Sequence, residues 1–330
     1  MKRSLLSWLC CPGCSGPLEV REAQERGEEI ESGHLACAGC QVRFPIVRFI
    51  PRFVGSANYA ASFGLQWNRF QKTQLDSYTG AHISQDRFLR QTAWEPGLLQ
   101  GALVLDVGCG AGRFAEVALS LGAQVVAVDY SDAADACWGN LAPHANLHVL
   151  QADVYGLPLR AGSFDFVYCF GMLQHTPDPR QAFLRLPGLL KPGGHIAVDV
   201  YSRRWTSLLH PKYALRPISK RLPRSTLLKL VERMVPILLP ASRAAARVPV
   251  VGQVLRRMVP VANYEGIYPL TEQQLREFAV LDTFDWLSPA YDRPQTPKAL
   301  LSWLREAGLQ EIEVLKVAHL VGRGRTPAFR

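Results

Sequence analysis

The sequence predicts an α/β fold in which a parallel sheet is wrapped by helices and preceded by a small metal-bound unit. Three observations lead to this prediction. Five short apolar runs alternate with helical or turn segments between residues 101 and 201, the first run ends in glycines at alternate positions, and two Cys-x-x-Cys pairs lie within the first forty residues. Apolar runs rich in Val, Ile and aromatic residues that alternate with helices are typical of a parallel sheet. With 330 residues and 48% hydrophobic content, the chain is long enough for one large core and smaller additional domains.

Residues 1–54 are predicted to form a zinc ribbon. Two cysteine pairs, Cys11-Pro-Gly-Cys14 and Cys37-Ala-Gly-Cys40, are separated by 22 residues. Four thiolates complete the tetrahedral shell of Zn²⁺ and leave no open position, so the metal is expected to be structural rather than catalytic. The alternatives are redox or disulfide use of these cysteines, with Cys10 as a spare thiol or as an alternative first ligand. A unit of this size has too little core to fold without the metal.

The chain begins with Lys2, Arg3 and a short apolar stretch before Cys10, which imitates a lipoprotein signal. The apolar part is too short for a signal, and the bulky Leu9 stands where a small residue is required. No run approaches the ~18 apolar residues of a membrane span. The expected location is therefore the cytoplasm, where cysteines are reduced or metal-bound.

Residues 55–100 are predicted to form a helical connector. Four aromatic residues follow one another at spacings of four, four and three, which places them on one helix face. They are Tyr59, Phe63, Trp67 and Phe70. The helix either docks on the core or acts as a flap over the ligand site, in which case Trp67 contacts the substrate.

Residues 101–201 are predicted to form the central sheet domain. Its strands are expected in "ALVLDV", "QVVAVDY", "LHVLQAD", "FDFVYCF" and "HIAVDVY". Ligands of such sheets bind at the carboxyl ends of the strands.

The glycines after the first strand form G-x-G-x-G, preceded by Asp106. Arg113 stands where a dinucleotide fingerprint needs its third glycine, and no Gly-Lys-Ser/Thr follows as in a P-loop. Both of these nucleotide sites are excluded.

Four further segments occur in the order found in one family. They are "VAVDYS", "LQADVYGLP", "FDFVYCFGMLQHTPDP" and "LLKPGGHIAVDV". With the glycine loop, they resemble the motifs of class I S-adenosylmethionine (SAM)-dependent methyltransferases, in particular the group related to ubiquinone and menaquinone methyltransferases. The chain resembles more closely the bacterial proteins that join a Trm112-like zinc ribbon to this domain. These resemblances imply a Rossmann-like class I methyltransferase fold.

The resemblance also implies the residues that bind the cofactor. Asp129 accepts from the ribose hydroxyls, and Asp153 accepts from the adenine amino group beside the backbone of Val154. The remaining cofactor residues implied are Asp106, Gly108, Cys109, Gly110, Gly112, Tyr130 and Phe170. Alternatives stay open: the glycine loop serves a nucleotide-binding domain without catalysis, Asp129 caps the segment after its strand, and Asp153 stabilises the following turn.

His175, at the end of the fourth strand, is the candidate catalytic residue. Methyl transfer is a direct displacement, so a base is needed only if the acceptor must lose a proton. The alternative is that His175 orders its loop. The chain lacks the Asn/Asp-Pro-Pro-aromatic loop of exocyclic-amine methylation on nucleobases, so oxygen or carbon acceptors rank ahead of nitrogen.

Residues 202–290 are predicted to be a basic helical insert followed by an acidic and aromatic loop. Ten Arg and three Lys stand against one Glu between Ser202 and Ala262, a balance of +12, whereas the whole chain carries +9. Amphipathic helices broken by prolines are expected there. Three hypotheses compete: a lid over a soluble substrate, a surface for an anionic membrane or lipid-like substrate in which Leu238 and Leu239 enter the headgroup layer, and an RNA-binding face. The small number of aromatics among the arginines counts against RNA.

The segment "VLDTFDWLSPAYDRPQTP" is predicted to be a loop that packs on the connector or lines the acceptor pocket. In the second case Asp285 and Tyr291 contact the substrate. Residues 291–330 are expected to supply a helix capped by Thr296-Pro297 and stopped by glycine, followed by strands "LQEIEVLKVA" and "HLVGRGR".

The sequence therefore predicts a SAM-dependent methyltransferase that acts on a small or lipid-like acceptor. One alternative is an rRNA or tRNA methyltransferase. A second is a non-catalytic SAM-binding partner protein whose ribbon docks onto another chain. No oligomeric state is predicted.

Overall fold

The computed structural model describes residues 1–55, 58–203 and 211–328. Near the N-terminus, a 3₁₀ turn at Arg3–Ser7 precedes a four-stranded antiparallel sheet in the order β1-β2-β3-β4. Its strands are β1 (Leu18–Arg26), β2 (Glu29–Cys37), β3 (Arg43–Val47) and β4 (Ile50–Pro51). The segment "VRFPIVRFIPRFV" (residues 42–54) contains β3 and β4, which complete this sheet.

Three α-helices lie in the part of the connector that the structure describes. They are α1 (Ala61–Arg69), α2 (Asp76–Thr79) and α3 (Ile83–Thr92). The Asp76 carboxylate accepts from the backbone N–H groups of Ser84 and Gln85, each at 2.8 Å, and so satisfies free donors at the start of α3. Phe88 of α3 is fully buried in the core.

A seven-stranded sheet in the order β10-β11-β9-β8-β5-β6-β7 forms the centre of the protein. The pairs among β5 to β9 are parallel, and β11 runs antiparallel to both β9 and β10. The strands are β5 (Leu103–Val107), β6 (Gln124–Asp129), β7 (Leu147–Gln151), β8 (Phe164–Cys169), β9 (Leu190–Val200), β10 (Gln310–Val317) and β11 (His319–Arg325). Each of the first four predicted apolar runs contains its strand, and "HIAVDVY" overlaps β9, which begins five residues earlier at Leu190. The α/β prediction is therefore confirmed. β5 and β7 are buried at every position because both faces of the sheet are covered.

Besides α3, which packs against β9, the described helices that flank this sheet are α4 (Arg113–Ser120), α5 (Ala133–Leu141), α6 (Pro179–Leu184) and α11 (Pro297–Glu306). The predicted start of α11 is confirmed, since the Thr296 side chain accepts from the backbone N–H of Ala299 at 3.2 Å and Pro297 is the first helical residue. Gly308, with φ +68°, follows the end of the helix.

The small sheet packs against the outer strand β7 of the large one. Leu5 and Leu9 belong to the same buried cluster as Leu150 and Leu159. The backbone N–H of Phe53 donates to the carbonyl of Gln151 at 2.8 Å, at the edge of β7. This contact covers the edge of the sheet at the Gln151 end of β7.

Residues 211–287 contain a second helical layer with its own core. Its helices are α7 (Pro211–Ser219), α8 (Arg224–Ala246), α9 (Gly252–Met258) and α10 (Glu272–Leu287). The part of the predicted insert at residues 204–210 lies outside the described residues. Among the described helices, none is long and apolar enough to cross a membrane.

The prediction that prolines break the insert helices is wrong for α8, which continues through Pro236 and Pro240. Both prolines are exposed and four residues apart, so the carbonyls that lose a partner lie on the solvent side, where water can replace it. The opposite face holds the helix in place through buried Val231, Val235 and Leu239.

The prediction of a loop at "VLDTFDWL" is also wrong, because these residues form the second half of α10. A reciprocal capping box between Thr271 and Gln274 begins this helix. Its buried residues recur at helical spacing, with Leu281, Phe284 and Leu287 directed into the insert core. The density of acidic and aromatic residues had obscured this periodicity.

Candidate functional site

A cavity of about 790 Å³ opens at the carboxyl ends of β5, β6 and β8. The connector helix α1 and the insert helices α9 and α10 complete its walls. Open α/β sheets bind ligands at this edge. The cavity is therefore the candidate site, and each predicted residue can be located relative to it.

The glycine loop forms one wall of the cavity and follows β5 directly. Gly108 and Gly110 line it, with φ values of +81° and +54° that side chains rarely adopt. A Cβ on Gly110 would lie 3.1 Å from the Trp67 ring, and one on Gly108 would lie 2.6 Å from Met172 Cβ. Gly112 has another role, because its Cβ would lie 2.6 Å from Leu141 Cδ1 of α5. It permits close packing of two helices.

Asp129 ends β6 and lines the cavity beside the glycine loop. Its Oδ2 accepts from the backbone N–H of Gly110 at 2.9 Å, and its Oδ1 accepts from the backbone and hydroxyl of Ser131 at 2.8 and 2.7 Å. Burial raises the pKa of this carboxyl, and the hydrogen bonds from Ser131 and Gly110 offset part of the rise. A carboxylate has about four acceptor positions, so Asp129 retains about one for a ligand hydroxyl.

Four more of the predicted cofactor residues line the same cavity: Cys109, Tyr130, Val154 and Phe170. Asp106 and Asp153 do not. Asp106 is buried beneath the loop, where burial raises its pKa to about 8 and the neighbouring Tyr168 hydroxyl offsets part of the rise. The Asp153 carboxylate accepts from the backbone N–H of Tyr155 at 3.0 Å, which is the turn-stabilising alternative. A role of either residue in cofactor binding stays a prediction.

His175 lies in the cavity wall and is buried. Its Nδ1 lies 2.9 Å from the backbone carbonyl oxygen of Tyr291. Because a carbonyl only accepts, Nδ1 carries the proton and Nε2 is left as a proton acceptor. The Phe63 ring, with its centroid at 5.0 Å, and the Tyr201 ring at 5.4 Å fix the imidazole plane. The arrangement is compatible with both predicted roles, general base and loop order.

The connector aromatics divide between two environments. Tyr59, Phe63 and Trp67 line the cavity, whereas Phe70 is buried in the core of the insert. The Tyr59 ring packs on Tyr130 with a centroid separation of 4.8 Å. The connector therefore covers the cavity and also docks on the insert, so the two proposed roles coexist.

Of the remaining candidate substrate residues, Asp285 on α10 lines the cavity and accepts from the Tyr201 hydroxyl at 3.3 Å. Tyr291 lies behind the lining, with its ring against Tyr59 and its carbonyl on His175.

A polar network at the cavity wall was not foreseen in the sequence. Arg113 donates to Ser84 Oγ at 2.9 Å and to Gln74 Oε1 at 3.0 Å. Gln74 Nε2 reaches Asp282 Oδ1 at 3.5 Å, and the Tyr264 hydroxyl donates to the other oxygen of Asp282. Burial lowers the pKa of Arg113 to about 10 and raises that of Asp282 to about 6. The one indication in the sequence was Arg113 itself, a charged residue directly after the glycine loop.

The four predicted zinc ligands are brought together in the ribbon. The Sγ atoms of Cys11, Cys14, Cys37 and Cys40 all lie within 4.8 Å of one another. The pairs Cys11–Cys40 and Cys14–Cys37 are separated by 3.6 and 3.4 Å. Tetrahedral Zn²⁺ with Zn–S bonds of ~2.3 Å requires sulfurs about 3.8 Å apart, so the cluster fits this metal. Cys10 is not part of the cluster.

Comparison with known proteins identifies two parts of the chain. Residues 105–198 match the family model described as a methyltransferase domain, and residues 2–48 match the Trm112p-like protein family. The ubiquinone biosynthesis O-methyltransferase of Xanthomonas oryzae pv. oryzae (strain PXO99A) is 36% identical over 138 residues, covering 39% of this chain and 55% of that protein. The enzyme of that name from Xanthomonas campestris pv. campestris (strain B100) matches to the same extent. The chain thus spans about half the length of these relatives.

Two solved structures give weaker likenesses. Human N-acetylserotonin methyltransferase in complex with SAM has a TM-score of 0.46 and 15% identity, over 83% of this chain and 60% of that chain. A complex between the Haloferax volcanii Trm112 methyltransferase activator and a methyltransferase has a TM-score of 0.45 and 13% identity, over 81% of this chain and 99% of that chain. Residues 105–198 are thus similar to methyltransferase domains, and residues 2–48 are similar to Trm112p-like proteins.

Proposed function

We propose that this protein is a SAM-dependent methyltransferase that methylates an oxygen or carbon atom of a small or lipid-like molecule. The observation that carries the proposal is the position of the cavity. It brings the glycine loop, Asp129 and His175 to one edge of a domain that matches the methyltransferase family. The relatives named for ubiquinone biosynthesis support an O-methylated small molecule as the product.

SAM supplies a methyl group on a sulfonium, so the protein has to bind SAM and the acceptor, orient them towards each other and exclude water. The acceptor–methyl bond forms as the sulfur–methyl bond breaks, and the electron pair of that bond stays on sulfur. In the proposal, Asp129 holds the ribose hydroxyls, and Gly108 and Gly110 allow close approach of the cofactor. A hydroxyl acceptor also loses its proton, for which Nε2 of His175 is available.

The acceptor end of the cavity is rich in aromatic rings. Tyr201, Tyr213, Tyr264, Tyr268 and Trp286 line it together with Asp282 and Asp285. Rings provide flat apolar walls, and a few polar groups fix orientation. This composition favours an aromatic or amphipathic acceptor over a strongly hydrated one.

Zn²⁺ in the four-cysteine cluster has a structural role in this proposal, because four sulfurs leave no position for substrate. Persistence of four thiolates requires a reducing compartment, which supports a cytoplasmic location. We further propose contact with the inner face of the membrane, from the charge of the insert.

The test is incubation of the protein with methyl-labelled SAM and cell extract, followed by untargeted mass spectrometry of small molecules, lipids and RNA. Label in a small molecule or lipid is the expected result. Label confined to rRNA or tRNA supports the RNA alternative instead. Binding of SAM by calorimetry without label in any fraction supports the non-catalytic partner.

A further inference from the structure

The far end of the helical insert exposes an unusual concentration of apolar side chains. Of the fourteen large hydrophobic residues that are exposed in the described part of the chain, six lie within residues 248–258. They are Val248, Val250, Val251, Val254, Leu255 and Met258. Single exposed apolar residues are common, but a group of this density marks a binding surface. We call residues 247–258 the insert tip.

Positive charge surrounds these apolar residues. The tip contains Arg247, Arg256 and Arg257, and the sequence has no acidic residue between Arg233 and Tyr264. Arg247 is 77% exposed, although it approaches Glu265 at 3.4 Å. The tip therefore combines an apolar surface with excess positive charge, which is the composition of a segment that lies at an anionic lipid interface.

The tip also forms part of the cavity entrance. Val254, Arg257 and Met258 on α9 line the cavity that extends to Gly108. Val254 is 62% exposed and Met258 is 59% exposed, so the same helix faces both the cavity and the solvent. A surface that covers the tip would therefore lie directly beside the entrance.

The structure does not support the expectation that Leu238 and Leu239 enter a lipid layer. Leu239 is only 3% exposed in the insert core, and Leu238 packs partly buried against the same cluster. The prediction that these two leucines enter the headgroup layer is wrong, since they hold α8 to α10. The exposed apolar residues lie beyond the end of α8.

We propose that the insert tip docks on an anionic lipid bilayer and that an apolar methyl acceptor enters the cavity from that surface. The acceptor route rests on the proposed methyltransferase activity, whereas the docking specifies the membrane contact proposed above and does not depend on that activity. RNA would engage the arginines but leave six apolar side chains in water. Two copies of the tip facing each other would bring like charges together.

The test uses the full-length protein in co-sedimentation with vesicles of phosphatidylglycerol and phosphatidylcholine, compared with phosphatidylcholine alone. Binding to the anionic vesicles is expected to be at least about tenfold tighter and to weaken with added salt. Val250→Ser combined with Val251→Ser is expected to weaken it about tenfold. The matched control is Val42→Ser combined with Leu98→Ser, two exposed apolar residues outside the insert. Arg247→Gln is expected to cost about fivefold, against no loss in Arg305→Gln on α11.

Equal binding to both vesicle types, or equal loss in the control pair, would overturn the docking proposal. Tip-dependent dimerisation in ultracentrifugation without vesicle binding, or RNA binding in a gel shift that survives the valine changes without vesicle binding, would overturn it too. Calorimetry with S-adenosylhomocysteine separates this proposal from the proposed function. If vesicles bind but S-adenosylhomocysteine does not, the proposed methyltransferase activity fails and docking stands. The reverse result removes docking and the proposed membrane contact, and it leaves the methyltransferase proposal in place.

Discussion

Asp129 has two tasks, because the same carboxylate that faces the cavity also fixes the glycine loop. Its hydrogen bond from the Gly110 backbone N–H sets the position of a residue that itself lines the cavity. Loss of the carboxylate therefore removes a ligand contact and relaxes the loop. Asp129→Asn, which removes only the charge, retains a single accepting oxygen, so one of these two contacts is kept and the other is lost.

We expect Asp129→Ala to weaken binding of S-adenosylhomocysteine by about 1.5–3 kcal/mol, because charge-assisted hydrogen bonds to the ribose would be lost. Asp129→Asn should lose less, since an amide oxygen can still accept. Isothermal titration calorimetry measures both, with circular dichroism as the check on folding. Unchanged affinity in the alanine variant would show that Asp129 does not hold the cofactor.

Asp106 gives the stability a distinctive pH dependence. Its pKa is raised by burial from 3.8 to about 8. Between these values the folded protein retains a proton that the unfolded chain has lost, so the contribution of this group to stability falls as pH rises from about 4 to about 8. Above pH 8 there is no further loss.

Asp106→Asn removes this titration, so the stability of the variant relative to the parent protein should increase from pH 5 to pH 8. Urea unfolding at pH 5, 6, 7 and 8 measures the difference, in which the other titrating groups cancel. A difference that stays constant with pH would contradict the assigned shift.

At the scale of elements, sequence patterns predicted what depends on local spacing. The central strands, the Thr296 cap of α11 and the four-cysteine cluster are each encoded in a short segment. The path of α8 through Pro236 and Pro240 was not predicted, because it depends on which face of the helix is buried. The sequence also placed Asp282 and Asp285 on a loop. They lie on α10, which is stabilised by contacts with α8 that the local sequence does not reveal.

The core of α8 gives a direct test of that explanation. Leu239→Ala should destabilise the protein by about 2–5 kcal/mol, because this side chain is 3% exposed and packs in the insert core. Ile237→Ala, on the same helix but 74% exposed, should change stability by less than about 0.5 kcal/mol. Chemical denaturation of the two variants provides the comparison. Equal losses would mean that the outer face of α8 is covered.

The ribbon should depend on its metal. Cys37→Ser removes one of four sulfurs and should release the Zn²⁺, which elemental analysis of the purified protein would detect. Because Leu5 and Leu9 pack with Leu150 and Leu159, the loss should also lower the thermal stability of the central domain. Cys10→Ser is the control and should retain one zinc per chain. Zinc in both variants, or in neither, would refute the assigned ligand set.

At the scale of the whole molecule, the site is assembled from segments that are distant in sequence. The motifs predicted the glycine loop, Asp129 and His175, which follow strands of one sheet. They could not predict that Gln74, Arg113 and Asp282 form one network, since these residues come from the connector, the core and the insert. Such contacts depend on the packing of three layers, which local periodicity does not specify.

This assembly predicts that cofactor binding stiffens the connector. Trp67 lies over Gly110, where a Cβ would be 3.1 Å from its ring, and Tyr59 packs on Tyr130. A ligand in the cavity adds contacts to these rings, so S-adenosylhomocysteine should slow hydrogen exchange in residues 58–70 more than in β10 and β11. Trp67→Ala should weaken binding and abolish most of this protection, because the rings would no longer close on the loop. Tyr78→Phe, which removes only a surface hydroxyl bonded to Glu277, should preserve both. Protection confined to the central strands, with normal binding by Trp67→Ala, would show that the connector is a scaffold and does not cover the ligand.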